Sequence, residues 1–247
     1  MWIKICGNTN LEDAQLAAKL GADAVGFVFA PSPRQIAPEA AARITAHLPH
    51  DVEKYGVFTD PDFTRIVRTV EIAGLTGVQL HAAPTADLAA RLRKHFFRSA
   101  TAQPLRIVQV LHYVPDAERF AADLHALHAQ QNLDAVLIDS RTATLVGGTG
   151  IAFDWQAARA AFADEEHTLH LIAAGGLRPE NVAEAIHTLH PWGVDVSSGV
   201  EAQPGKKDPE RVRQFLHAAR AAAAEMEPVQ PAVPALAHSP GRKGDSQ

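Results

Sequence analysis

Apolar residues fall along this chain in short runs of four or five, separated by alanine- and leucine-rich stretches with helical spacing. One phrase marks the rhythm. Gly21-Ala22-Asp23-Ala24-Val25, Gly74-Leu75-Thr76-Gly77-Val78, Asn132-Leu133-Asp134-Ala135-Val136 and Trp192-Gly193-Val194-Asp195-Val196 each follow a helical stretch and open an apolar run. Glycine or asparagine ends the helix and the valines start a strand. Val25, Val78, Val136 and Val194 are 53, 58 and 58 residues apart, each interval long enough for two strand-helix units. The remaining apolar runs, Ile3 to Cys6, Tyr55 to Phe58, Ile107 to Leu111 and Leu169 to Ala173, fall between the marked ones and bring the count to eight strands.

Strands alternating with helices predict a parallel sheet, since parallel neighbours need a crossover connection. Eight units in 247 residues predict an α/β fold of the closed (β/α)8 TIM barrel type rather than an open doubly wound sheet. The choice bears on function. In a barrel, residues just past the strand ends meet at one mouth, so Cys6, Arg34, Gln79, His81, Asp139, Asp195 and the late glycine turns share a site. The expected organisation is one catalytic domain over residues 1–226 and a Pro-rich tail over 227–247. That tail carries Pro228, Pro231, Pro234 and Pro240 without helical period, too little apolar surface to offset its conformational entropy. Residues 95–104 lengthen the connection before the fifth strand and read as a surface excursion.

Composition narrows the function classes. With 47% hydrophobic and 21% charged residues the chain has the balance of an ordinary globular domain. A net charge of -5 and a pI near 6.2 give no broad basic surface, so no nucleic-acid partner is expected. No run approaches the roughly 20 apolar residues of a membrane span, and the N-terminus lacks a secretory pattern. With a single cysteine there is no disulfide framework, which fits a cytoplasmic location. The 13 histidines show no metal-ligand spacing, and His47, His50, His112, His125, His128, His187, His190 and His217 read as surface helix or loop positions.

Candidate chemistry concentrates at strand ends. Ala173-Ala174-Gly175-Gly176-Leu177-Arg178-Pro179 runs off the seventh strand, with Pro179 set for the first turn of a helix, and Ser197-Ser198-Gly199-Val200-Glu201 follows the eighth. Each turn alone is open between a tight connection and an anion cradle. As a pair at these two strands, Gly175, Gly176, Ser198 and Gly199 predict a bound phosphate. Asp139 ends four apolar residues and is either a carboxyl at the mouth or a turn former. Cys6 is either a small buried hydrophobe or an acid-base thiol. Arg34 is a carboxylate fork, a loop closer or a solvated helix-start residue.

Lys4-Ile5-Cys6-Gly7, Phe29 to Arg34, Val78-Gln79-Leu80-His81, Leu137-Ile138-Asp139, Gly147-Gly148-Thr149-Gly150 with Phe153-Asp154-Trp155, Gly175-Gly176-Leu177 and Ser198 to Glu201 are seven ordered motifs. From Trp2 to Ala218 the chain resembles phosphoribosylanthranilate isomerase of tryptophan biosynthesis. The resemblance implies a cofactor-free Amadori rearrangement of N-(5'-phosphoribosyl)anthranilate to 1-(o-carboxyphenylamino)-1-deoxyribulose 5-phosphate. It further implies Asp139 as general acid and Cys6 as general base, with Arg34, Gln79, His81 and Asp195 against the substrate and the Gly147 to Gly150 loop closing over the mouth. The expected partner is a small phosphorylated sugar, and the protein a monomer or homodimer.

The two pKa demands oppose each other. An aspartate must be raised to hold a proton and a cysteine lowered to give thiolate. Desolvation raises both, so the thiol needs a positive field. Lys4, two residues deeper on the Cys6 face, is not the obvious source; Arg34 and a substrate iminium are the other candidates. The related aminoaldose isomerase of histidine biosynthesis characteristically uses two aspartates, and Cys6 argues against it. An epimerase or lyase on this barrel would need a metal set or catalytic lysine that the sequence does not place. A noncatalytic metabolite-binding barrel would need neither Cys6 nor Asp139.

Overall fold

A computed structural model describes residues 1–82, 86–97, 104–112, 116–130, 132–139 and 169–226. The Gly147 to Trp155 motif, most of the 95–104 excursion and the 227–247 tail lie outside the described residues.

Eight parallel strands close into a barrel in sequence order: β1 (Trp2–Ile5), β2 (Ala24–Val28), β3 (Glu53–Phe58), β4 (Gly77–Leu80), β5 (Arg106–His112), β6 (Ala135–Asp139), β7 (His170–Ala174) and β8 (Gly193–Val196). Closure is a parallel ladder between β1 and β8 that matches Lys4 with Asp195 and Ile5 with Val196. The predicted strand count and the (β/α)8 class agree with this architecture. Around the barrel lie α1 (Leu11–Lys19), α2 (Pro38–Thr45), α3 (Phe63–Ala73), α4 (Ala86–Phe97), α5 (Ala117–His128), α6 (Val182–Leu189) and α7 (Pro209–Met226). Among the described residues no helix is long and apolar enough to cross a membrane.

Two apolar layers follow from strand alternation. Outward residues such as Ile5, Phe27, Val78, Ile107 and Val136 pack under the helices, where a buried Phe27 contributes about 1.5–3 kcal/mol. Inward residues form a second cluster, including Trp2, Tyr55, Val110, Leu137 and Ala174, that fills the barrel. Trp2 and Tyr55 meet edge to face at 5.7 Å at its floor, and both donate hydrogen bonds to the Glu53 carboxylate at 3.1 Å. The floor is therefore closed, and ligand access is from the C-terminal strand ends.

Local chemistry explains several helix boundaries. Asn10 and Asp62 accept from the Asp13 and Arg65 backbone N–H groups at 2.9 and 3.1 Å, capping α1 and α3. Gly74 ends α3 in the left-handed region, as the repeated phrase predicts. In the fourth copy the cap falls earlier: His190, at φ 51, ends α6 two residues before Trp192. Pro179 also departs from expectation. It lies in a turn, and α6 starts only at Val182, because Asn181 folds back on that turn, accepting from the Arg178 N–H at 2.8 Å and donating to the Gly176 carbonyl at 3.2 Å.

Candidate active site

A cavity of about 350 Å³ opens at the C-terminal end of the barrel. Its wall contains all but one of the ten residues expected there from sequence: Cys6, Arg34, Gln79, His81, Asp139, Asp195, Gly175, Gly176 and Ser198 line it. Gly199 stands just behind. A Cβ on it would lie 1.9 Å from the Leu177 carbonyl oxygen, so the turns after β7 and β8 touch only because residue 199 has no side chain. Gly175 and Gly176, at φ 80 and 65, bend the first of these turns through conformations that other residues resist.

Cys6 follows β1 directly. Its backbone N–H donates to Val196 at 2.8 Å, and its carbonyl accepts from the Lys207 ammonium at 2.6 Å. Below it, Asn8 donates to the Ile5 and Gly26 carbonyls at 2.8 and 3.2 Å and fixes the turn. The thiol occupies space left by Gly26, where a Cβ would stand 2.6 Å from Sγ. Burial pushes the Cys6 thiol up, and Lys4 and Lys207 oppose it; in the unliganded protein the net direction is upward.

Lys4 corrects an expectation. Not the obvious source of the three candidates from its depth on the strand, it is the largest of the positive influences on the thiol. Alternation places it on the inner face, where its ammonium pairs with Asp195 at 2.7 Å with both side chains almost fully enclosed. Burial works against the charge on Lys4, yet Asp195 and Cys6 beside it hold its pKa above the ordinary value.

Sequence reasoning also missed a hairpin. β9 (Glu201–Gln203) and β10 (Lys206–Lys207) pair antiparallel after the eighth strand and fold back beneath the mouth. The Lys207 side chain is wholly buried; besides Cys6 it donates to the Ser197 carbonyl at 3.2 Å and pairs with Glu201 at 3.0 Å. Glu201 in turn takes a two-pronged grip from Arg34, Nε at 2.8 Å and Nη2 at 2.6 Å. Against its burial, Arg34 and Lys207 hold the Glu201 carboxyl below its ordinary range. Arg34 thus closes its loop onto β9 rather than standing in solvent.

On the opposite wall the Gln79 amide and the His81 imidazole meet at 2.9 Å. Burial drives the His81 pKa down to about 4, with Asp139 opposing, so the ring is neutral near pH 7. Asp139 ends β6 and is in register with His112 on β5. His112 is therefore no surface histidine, as had been expected. It faces inward on the alternation of Val108 and Val110, lines the cavity, and stands 5.9 Å from His81 between ring centroids.

Similarity to known proteins agrees with this geometry. Residues 3–218 match the family model described as N-(5'phosphoribosyl)anthranilate (PRA) isomerase. An N-(5'-phosphoribosyl)anthranilate isomerase of Citrifermentans bemidjiense is 41% identical over 219 residues, 88% of this chain and 96% of the relative. The crystal structure of phosphoribosyl anthranilate isomerase from Thermotoga maritima superposes with a TM-score of 0.74 at 36% identity, covering 90% of this chain and 99% of that one. A structure of the isomerase in complex with reduced 1-(o-carboxyphenylamino)-1-deoxyribulose 5-phosphate gives 0.72 at 34% identity, with 90% and 99% covered. The chain belongs to the N-(5'-phosphoribosyl)anthranilate isomerase family.

Proposed function

We propose that Cys6 and Asp139 act as general base and general acid in the family's reaction, the isomerisation of N-(5'-phosphoribosyl)anthranilate to 1-(o-carboxyphenylamino)-1-deoxyribulose 5-phosphate in tryptophan biosynthesis. The single observation that carries this reading is that a lone thiol and a strand-end carboxyl, 133 positions apart in sequence, line one cavity beside two touching glycine turns. The 5'-phosphate rests against Gly175, Gly176, Ser198 and Gly199 at β7 and β8, where barrels of this type commonly hold phosphate. Asp139 protonates the ribose ring oxygen as the C1–O bond breaks, leaving an iminium at C1. Cys6 thiolate then removes the C2 proton, giving an enolamine that tautomerises to the ketose. Each transfer needs a positioned group, and each typically contributes about 100-fold or more.

The electrostatics fit these roles. The thiol is raised in the free protein, and a cationic iminium adds positive charge to that of Lys4 and Lys207 when base strength is needed. Arg34, Gln79, His81 and Asp195 form the wall around the substrate, Asp195 also holding Lys4 in place. The catalytic unit in this reading is residues 1–226, working in the cytoplasm. Turnover of fluorescent N-(5'-phosphoribosyl)anthranilate by the purified protein, measured beside the histidine-pathway aminoaldose, tests the assignment. Rapid loss of fluorescence with the first substrate and little conversion of the second is expected; the reverse preference would overturn it.

A further inference from the structure

Arg34 lies across the turn that follows Cys6. Its stem passes over Gly7, where a Cβ would stand 2.7 Å from Arg34 Cδ, so a bare residue gives the guanidinium its path to the hairpin beneath the mouth. There the edge made by Nε and Nη2 rests on Glu201 at 2.8 and 2.6 Å. The other edge, carried by Nη1, is the one left for a ligand in the cavity that Arg34 lines. Ser32, from the same loop after β2, and Thr59, just past β3, add hydroxyl donors to this part of the wall. In the isomerase reading the substrate brings one anion besides its phosphate, the carboxylate of the aromatic ring. A guanidinium edge beside two hydroxyls is the donor set that suits it.

Glu201 is not part of that wall. Its carboxylate is almost fully enclosed, and its Oε1 also takes the Lys207 ammonium at 3.0 Å and the Gly205 backbone N–H at 3.4 Å. The hairpin thus fixes the carboxylate from below, and Arg34, the more exposed of the two at 21% against 4%, is the member of the pair that is steadied. A guanidinium gripped by one edge presents the other at a set angle, with its rotamer freedom given up before a ligand arrives. We infer that Glu201 is a positioning residue: by holding the inner edge of Arg34 it aims the outer edge at the ring carboxylate, and so sets the preference for a carboxylated N-aryl group without touching substrate.

The inference rests on the isomerase reading, and the experiment separates the two. Values of kcat/KM are measured for N-(5'-phosphoribosyl)anthranilate and for N-(5'-phosphoribosyl)aniline, which lacks only the carboxylate. The proteins compared are the wild type, Glu201→Asp, Glu201→Gln, Arg34→Ala and Arg34→Ala combined with Glu201→Asp. Glu201→Asp keeps a charge for Lys207, and with it the buried pair, but draws the carboxylate back by one methylene from the two prongs of Arg34. The readout is the ratio of the two kcat/KM values, carboxylated over aniline, which a general loss of structure leaves alone. In Glu201→Asp the ratio should fall roughly 10-fold, the worth of one hydrogen bond to a charged group, and in Glu201→Gln and Arg34→Ala at least as far. Adding Glu201→Asp to Arg34→Ala should lower it no further, to within about twofold, because Glu201 acts through Arg34. An unchanged ratio in Glu201→Asp or Arg34→Ala, a raised ratio in Glu201→Gln, or a further fall in the double variant would overturn the assignment. Failure of the wild type to convert the carboxylated substrate would overturn the isomerase reading itself, and this inference with it.

Discussion

Gly26 shows how finely single residues set the reactive group. A methyl there would stand 2.6 Å from Cys6 Sγ and 3.2 Å from its Cα, within a wall that includes Cys6 backbone and cannot yield as a flexible side chain can. Gly26→Ala should displace the thiol and lower turnover by roughly 100-fold, the scale of loss from an ångström-sized misplacement. Wild-type kcat in that variant would show that the thiol position is not critical. Lys4 acts on the same sulfur by charge. Burial pushes the thiol up and Lys4 pulls it down, so Lys4→Met removes a restraint, and unpaired Asp195 then pushes the same way. The thiolate fraction at any fixed pH should fall. Alkylation of Cys6 by iodoacetamide should be slower than in the wild type, with its pH inflection moved upward; faster alkylation would contradict the assignment of Lys4 as the source of the field.

At the level of elements, alternation both revealed and concealed the site. Cys6, Gln79, His81 and Asp139 were legible because each ends a short apolar run, and the glycine pairs because two strand-end turns of the same kind follow one another. His112 was lost by classing histidines together, although Val108, Val110 and His112 carry the inward period as plainly as any residues in the chain. Lys4 was only partly legible, for a different reason. Strand spacing gives its face, but its proximity to Asp195 comes from the β1–β8 closure that matches these two residues in register. Lys207 had no local signal at all, since a lysine beside Lys206 and Asp208 looks solvated until the hairpin buries it. Its ammonium ties the carbonyls of Cys6 and Ser197 to Glu201, joining the thiol to the turn after β8. Lys207→Met should therefore destabilise the protein by about 3 kcal/mol in urea unfolding, the low end for breaking a buried pair because Arg34 still holds Glu201. A change below about 0.5 kcal/mol, in the range of ordinary surface substitutions, would mean that the network is not a structural tie.

Across the whole molecule, the closed barrel gathers residues from both ends of the chain into one enclosed mouth, and enclosure has a pH signature. Burial holds the folded-state His81 pKa at about 4, below its ordinary value of 6.5. Between those two values the unfolded chain binds a proton that the folded protein does not. The His81 contribution is thus complete above pH 6.5 and lost progressively as the pH falls toward 4. The melting temperature should drop over this window, and more shallowly in His81→Gln; identical pH profiles for the two proteins would contradict the burial of a neutral ring. The same closure carries the central claim, that the Cys6 thiol and the Asp139 carboxyl serve one sugar from opposite sides. The most direct measurement is kcat for N-(5'-phosphoribosyl)anthranilate in Cys6→Ala and in Asp139→Asn, alongside calorimetric binding of the reduced product analogue. Each variant should lose about 100-fold or more in kcat while binding the analogue close to normally; near-normal turnover in either one would remove that residue from the chemistry and contradict the account.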